Sequence, residues 1–173
     1  MRRLLAVVLL AALGLTACHG TGKHWAAGKG AVIYIRSTPA RVTDGGSGSR
    51  IHYAIDRAAD VWNSRLDNLT FRVVSACDGR TPCVTVERQE RNGAVTILGG
   101  AGDHLYGATM IFDDEVWPST AADNCAVHEL GALGGLGLST DPRSVMANPC
   151  DDLGFPSDGD VAEVDATHDH RHG

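Results

Sequence analysis

The chain has 173 residues, 43% of them hydrophobic, with 15 basic against 21 acidic side chains and a net charge of −6. That length supports one domain with a core of its own. The acidic balance argues against nucleic acid as a partner.

Residues 1–17 read as an export signal. Arg2 and Arg3 open it, and an apolar run from Leu4 to Leu15 follows that is too short to span a bilayer. Leu15-Thr16-Ala17-Cys18 resembles a bacterial lipoprotein signal, which would make Cys18 the lipid-modified first residue of the mature chain. An ordinary secretory signal is the alternative. Acyl chains on Cys18 would anchor the protein to a bacterial membrane on its extracytoplasmic side, each buried methylene contributing about 0.8 kcal/mol. Residues 18–30, rich in Gly, Lys and Ala, are expected to form a flexible tether in which Trp25 is the only bulky residue.

The folded domain is expected over 31–167. Ala31 to Arg36 is β-branched and aromatic and predicts a strand, and the Gly-Ser run over 44–49 predicts a loop. A helix follows from about Arg50 to Leu66, where Ile51, Ile55, Ala58, Ala59, Trp62 and Leu66 recur at spacings of three and four and share one stripe. Strands are predicted at 70–76, 84–88, 94–98 and 108–113, with Gly, Pro and Asn between them. A second helix begins near Thr120, where Thr120-Ala121-Ala122-Asp123 looks like a capping box, and it carries Cys125, Val127, His128 and Glu129. This order predicts an α/β fold of the α+β kind.

Four cysteines remain past Cys18, an even number that favours disulfides in an exported chain. Of the three possible pairings the preferred one joins Cys77 to Cys83, closing a small loop around Gly79 and Pro82, and Cys125 to Cys150, tying the second helix to a later segment. A zinc site made of the four is the rival, but paired C-x-x-C spacing is missing.

One stretch carries chemistry. His128-Glu129-Leu130-Gly131-Ala132-Leu133-Gly134-Gly135-Leu136-Gly137-Leu138, followed by Ser144-Val145-Met146, resembles H-E-x-x-H-x-x-G-x-x-H with a downstream Met-turn. That is the signature of the metzincin zinc metallopeptidases, and the segment from Gly107 to Pro149 is similar to their small secreted bacterial members, matrixin-like and snapalysin-like. The resemblance implies a mixed twisted sheet, two main helices, a Met-turn at Met146 and a short C-terminal helix starting near Pro156. It also implies a zinc cofactor, His128 as a ligand, Glu129 as general base and Gly135 as the turn glycine. Ala132 and Leu138 stand at the second and third ligand positions, and neither side chain has an electron pair to donate. A catalytic zinc site takes about three protein ligands plus water, so the expected protein is a pseudo-protease that uses its cleft to bind a peptide or protein, as a monomer.

Two alternatives stand beside that expectation. An active zinc endopeptidase would need replacement ligands, for which His104, Asp141 and the tail residues His168, Asp169, His170 and His172 are the candidates. A metal-binding surface lipoprotein would use the His-rich tail, 168–173.

Overall fold

The computed structural model describes residues 24–38, 47–89, 94–101, 103–113, 119–148, 150 and 154–169. The expected lipidation site Cys18 and the tail residues His170 and His172 lie outside them. The elements run β1 (His24–Trp25), β2 (Ala31–Arg36), α1 (Ser47–Asn63), β3 (Leu69–Val74), β4 (Cys83–Gln89), β5 (Ala94–Ala101), β6 (His104–Asp113), α2 (Ser119–Leu133) and α3 (Asp158–His168).

The sheet is mixed and mostly parallel. Its strands lie in the order β3-β2-β4-β6, all parallel, with β5 antiparallel on the outer side of β6. The short β1 runs parallel to the first residues of β6, in line with β4. β2 buries Ala31, Ile33 and Ile35 on one face and leaves Val32 and Tyr34 half-buried on the other, the alternation of a sheet covered on one side. Helix α1 covers that face with the predicted stripe: Ile51, Ile55, Ala58, Ala59 and Trp62 are all buried. α1 also packs along α2, where Trp62 donates its indole N–H to the Val127 carbonyl at 2.9 Å. No helix among the described residues is long and apolar enough to cross a membrane.

Disulfides join Cys77 to Cys83 and Cys125 to Cys150, the pairing preferred from the spacing. Two sequence expectations need correction. Residues 24–30 belong to the folded body rather than to a tether. Trp25 is fully buried, β1 pairs with β6, and the Trp25 indole donates to the Leu133 carbonyl at 2.6 Å, satisfying a helix-end acceptor. A two-residue strand has no periodicity to read, and its partner lies some eighty residues later. Trp25→Phe is therefore expected to lower stability by about 2 kcal/mol, because it leaves that buried carbonyl without a donor; urea unfolding measures it.

α2 begins at Ser119, as expected near Thr120; the Thr120 side chain of the expected capping box lies outside the described side chains, and Asp123 pairs with Arg57 of α1. A full capping box sits on α3, where the Ser157 hydroxyl accepts the Asp160 amide and the Asp160 carboxylate accepts the Ser157 amide. The second correction concerns α1, which begins inside the Gly-Ser run at Ser47 and ends at Asn63.

Candidate functional site

Helix α2 is buried along its whole second half, from Cys125 through Leu133 and on to Leu136. Its end follows from local rules. Gly135 has a φ of +94°, the amide of Leu136 bonds the Gly131 carbonyl at 3.1 Å, and the amide of Gly135 bonds the Ala132 carbonyl at 3.0 Å. That is a Schellman ending with glycine at the left-handed position, which a residue with a β-carbon adopts only under strain. Gly131 has a different duty. A β-carbon there would lie 2.9 Å from Met146 Sδ and 3.2 Å from the Trp62 ring, so its bare Cα lets Met146 and Trp62 lie against the helix.

Past Gly135 the chain folds back on itself. The Ser139 amide bonds the Met146 carbonyl, and a tight turn joins the Ala147 amide to the Ser144 carbonyl at 3.1 Å. This turn is pinned from α3. Asp160 is buried, and its carboxylate accepts the Ser144 hydroxyl, the Val145 amide at 3.1 Å, and the hydroxyl and amide of Ser157. Four donors satisfy the buried charge. The turn in turn orients His128: the Val145 carbonyl, which can only accept, takes the proton of His128 Nδ1 at 2.8 Å. Asp160→Asn replaces one acceptor by a donor facing donors, so a loss of about 2 kcal/mol in urea unfolding is expected.

That bond leaves the Nε2 lone pair of His128 pointing into the interior, where it has no partner among the described residues. Burial lowers the imidazole pKa, with the Val145 bond raising it by less, so the ring is held neutral. Glu129 is also fully buried. Burial pushes its carboxyl up to about 7, against a smaller opposing pull from the hydroxyl and amide of Thr96 on β5. The approach of Thr96 stops short of formed hydrogen bonds, since its Oγ1 and both Glu129 oxygens lack bonded partners among the described residues. β5 and α2 thus bring three buried polar side chains to one region: Thr96, His128 and Glu129.

The other expected ligand positions do not join them. Ala132 is one helical turn past His128 and buried, and its methyl group fills the place of a second imidazole. Leu138 lies beyond the glycine turn and is 50% exposed. Of the replacement candidates, Asp141 accepts the amide, Nε and Nη2 of Arg143, which hold its carboxyl down at about 2. His104 opens β6, six residues or about 20 Å of strand from Met110, the partner of Thr96. It faces His24 instead.

His168, counted from the sequence with the tail, is the last residue of α3 and is buried, with Nδ1 on its own helix at the Val164 carbonyl, 2.9 Å away. Asp169 pairs with Lys29 at 2.6 Å. Among the described residues no group of three His, Cys, Asp or Glu side chains is placed to hold a metal ion. Among the described residues the donor set around His128 is therefore one imidazole, short of the three protein ligands that a catalytic zinc takes.

Two surface features border this region. A cavity of about 270 Å³ opens beside the turn, lined by Gly137, Leu138, Ser139, Met146, Asp160 and Glu163 among others. On the sheet side, β5 pairs only with β6 among the described residues, and its Ile97 is half-exposed. Sequence reasoning found His128, Glu129, Gly135 and Met146 but missed Asp160 and Thr96. A signal for Asp160 existed in the Ser-x-x-Asp spacing of 157 to 160; none existed for Thr96, which reaches the site through sheet pairing. No protein-family model and no curated protein matches this chain.

Proposed function

We propose that the chain is a metzincin-like pseudo-protease, matrixin-like or snapalysin-like in ancestry, which binds a peptide or protein segment at the edge of β5 and in the cavity beside the loop after α2. The observation that carries this reading is the pairing of His128 with Ala132. A helix presenting one oriented imidazole, a neighbouring carboxyl, a glycine turn and a buried methionine has the layout of a zinc peptidase, and the methyl of Ala132 removes the metal's second corner. Without a held metal, Glu129 has no activated water to deprotonate.

What remains is a binding surface. The outer edge of β5, unpaired among the described residues, offers main-chain groups to an extended peptide, and the cavity walled by Leu138 and Met146 is large enough for one of its side chains. The same reading places the domain outside the cytoplasm, anchored to a bacterial membrane through lipid on Cys18. The orphaned lone pair of His128 favours one second reading, an active zinc endopeptidase with a non-standard ligand set.

One experiment separates the two. The full chain is offered a mixed peptide library with zinc or with a chelator, and both bound and cleaved peptides are sequenced. Intact peptides retained equally in both conditions are the expected result. Cleavage that stops with the chelator and in His128→Ala overturns the pseudo-protease reading. For the anchor, fatty-acid labelling that disappears in Cys18→Ser is expected, and equal labelling of both chains refutes it.

A further inference from the structure

Helix α1 covers one face of the parallel strands, the face of Ala31, Ile33 and Ile35. On the opposite face β2 presents Tyr34 and Arg36, and the parallel register sets Arg72 of β3 directly beside Tyr34. A third arginine comes from the loop before β4: the Arg80 guanidinium lies over the Tyr34 ring, 5.5 Å from its centroid. All three arginines are exposed. We propose that this face docks on the phosphate headgroups of an anionic phospholipid membrane, the one that holds the acyl chains of Cys18; the proposal rests on the lipid-anchor reading above.

Charge sets these three side chains apart. Lys29, Arg57, Arg65 and Arg143 each pair with an aspartate, whereas among the described residues Arg36, Arg72 and Arg80 meet no carboxylate. Asp78 shares the loop of Arg80 without pairing with it. The one carboxylate that the described residues of β2, β3 and β4 place on this face is Glu87, four residues, or about 13 Å, along β4 from the level of Tyr34. In a chain of net charge −6 an anionic surface repels most of the molecule and attracts this face. Guanidinium groups suit phosphate oxygens, which their forked N–H groups meet in pairs. Parallel strands are also rarely left bare on one side, so the face calls for a cover.

The tether ends beside the same loop. Six residues of chain lead from Cys18 to His24, a reach of at most about 20 Å when fully extended. Ala26 and Ala27, just past β1, line one cavity with Thr81, Pro82 and Tyr106, so the chain enters the fold next to the Arg80 loop. That loop is held in place by the Cys77–Cys83 disulfide, by the Arg80 amide on the Cys77 carbonyl at 2.7 Å, and by the Tyr34 amide on the Pro82 carbonyl at 3.1 Å. Tyr106, 62% exposed at this corner, is the kind of amphipathic ring that settles at headgroup level.

Flotation with lipid vesicles tests the surface on the full chain carrying Cys18→Ser, which has no acyl group. Whatever the apolar run from Leu4 to Leu15 contributes is common to every variant. On phosphatidylcholine mixed with phosphatidylglycerol, Arg36→Gln, Arg72→Gln and Arg80→Gln together are expected to weaken binding about a hundredfold, at about fivefold for each arginine. The same three positions changed to Lys keep most of the binding, and on phosphatidylcholine alone all the chains bind alike. An equal ratio on both kinds of vesicle overturns the surface, as does a Lys variant that falls with the Gln variant. Arginine-dependent capture by polyglutamate without any preference between vesicles overturns it too, and assigns the face to an acidic protein. Because the tested chain carries no lipid, a failure of the Cys18 labelling counts against the anchor alone. Orientation gives a reading that needs no arginine variant: with a nitroxide-headgroup lipid in nanodiscs, the amides of Tyr34, Arg72 and Arg80 must broaden before those of α1, and the reverse order refutes the proposal.

Discussion

Replacing Ala132 and Leu138 together by histidine is expected to give the α2 site stoichiometric zinc binding. The fold supplies the first ligand ready-made: the Val145 carbonyl fixes His128 with its Nε2 lone pair directed inward. Position 132 is one turn further on the same helical face, and position 138 lies past the glycine turn, on the chain that returns over the helix. The metal-free double variant is expected to be less stable than the parent. Ala132 is buried, and forcing a larger side chain into a packed position costs about 1–3 kcal/mol.

Zinc must then restore what the substitution removed. At a free concentration one hundred times its dissociation constant it stabilises the folded state by about 2.7 kcal/mol, which in a domain of this size raises the melting temperature by about 5–10 °C. Leu138→His alone leaves two ligands and a much smaller rise. A double variant that takes up no zinc at the α2 site shows that the site lacks peptidase geometry, and the proposed ancestry falls with it.

How much of this was legible in the sequence depends on the range of the interaction that decides each feature. Local patterns were readable. The Ile51-to-Trp62 stripe predicted the buried face of α1, the β-branched run at 31–36 became β2, and Gly135 announced the end of α2. The disulfide partners match the pairing preferred among the three possible. Features set by pairing across the sheet were not readable. Trp25 looks like a stray aromatic in a Gly-rich segment until β6 arrives to pair with it, and His104 looks like a loop residue until β1 extends its strand.

Thr96 is one of several similar strand residues, and only the placement of α2 over β5 singles it out. Helix α2 itself gives little periodic signal because it is apolar nearly all round, as a helix enclosed on every side should be. The site was legible as a motif, whereas the forces that shape it, Asp160 on the turn and burial around Glu129, belong to the tertiary structure.

Burial of Glu129 sets the other large effect, a dependence of stability on pH that one carboxyl dominates. Its pKa is about 7 in the folded chain against 4.5 as the ordinary value. Below pH 4.5 both states hold the proton and the group is indifferent to folding. Between 4.5 and about 7 the unfolded chain releases the proton while the folded chain keeps it, so stability falls as pH rises, and the loss is complete above about 7. The total is about 3 kcal/mol.

His128 acts with the opposite sign. Its pKa is lowered from 6.5 by burial, so its contribution is lost as pH falls below 6.5, when the unfolded ring takes a proton that the folded one refuses. The two slopes overlap, and the parent's profile alone does not separate them. The difference between Glu129→Gln and the parent does, because His128 is common to both.

Relative to the parent, Glu129→Gln is expected to gain about 3 kcal/mol between pH 4.5 and pH 8, read from urea unfolding at each pH. A difference that stays flat across that range means that Glu129 reaches solvent or a partner when ionised. A difference that rises as expected means that the carboxyl stays sealed under β5, so a ligand reaches it only by parting β5 from α2.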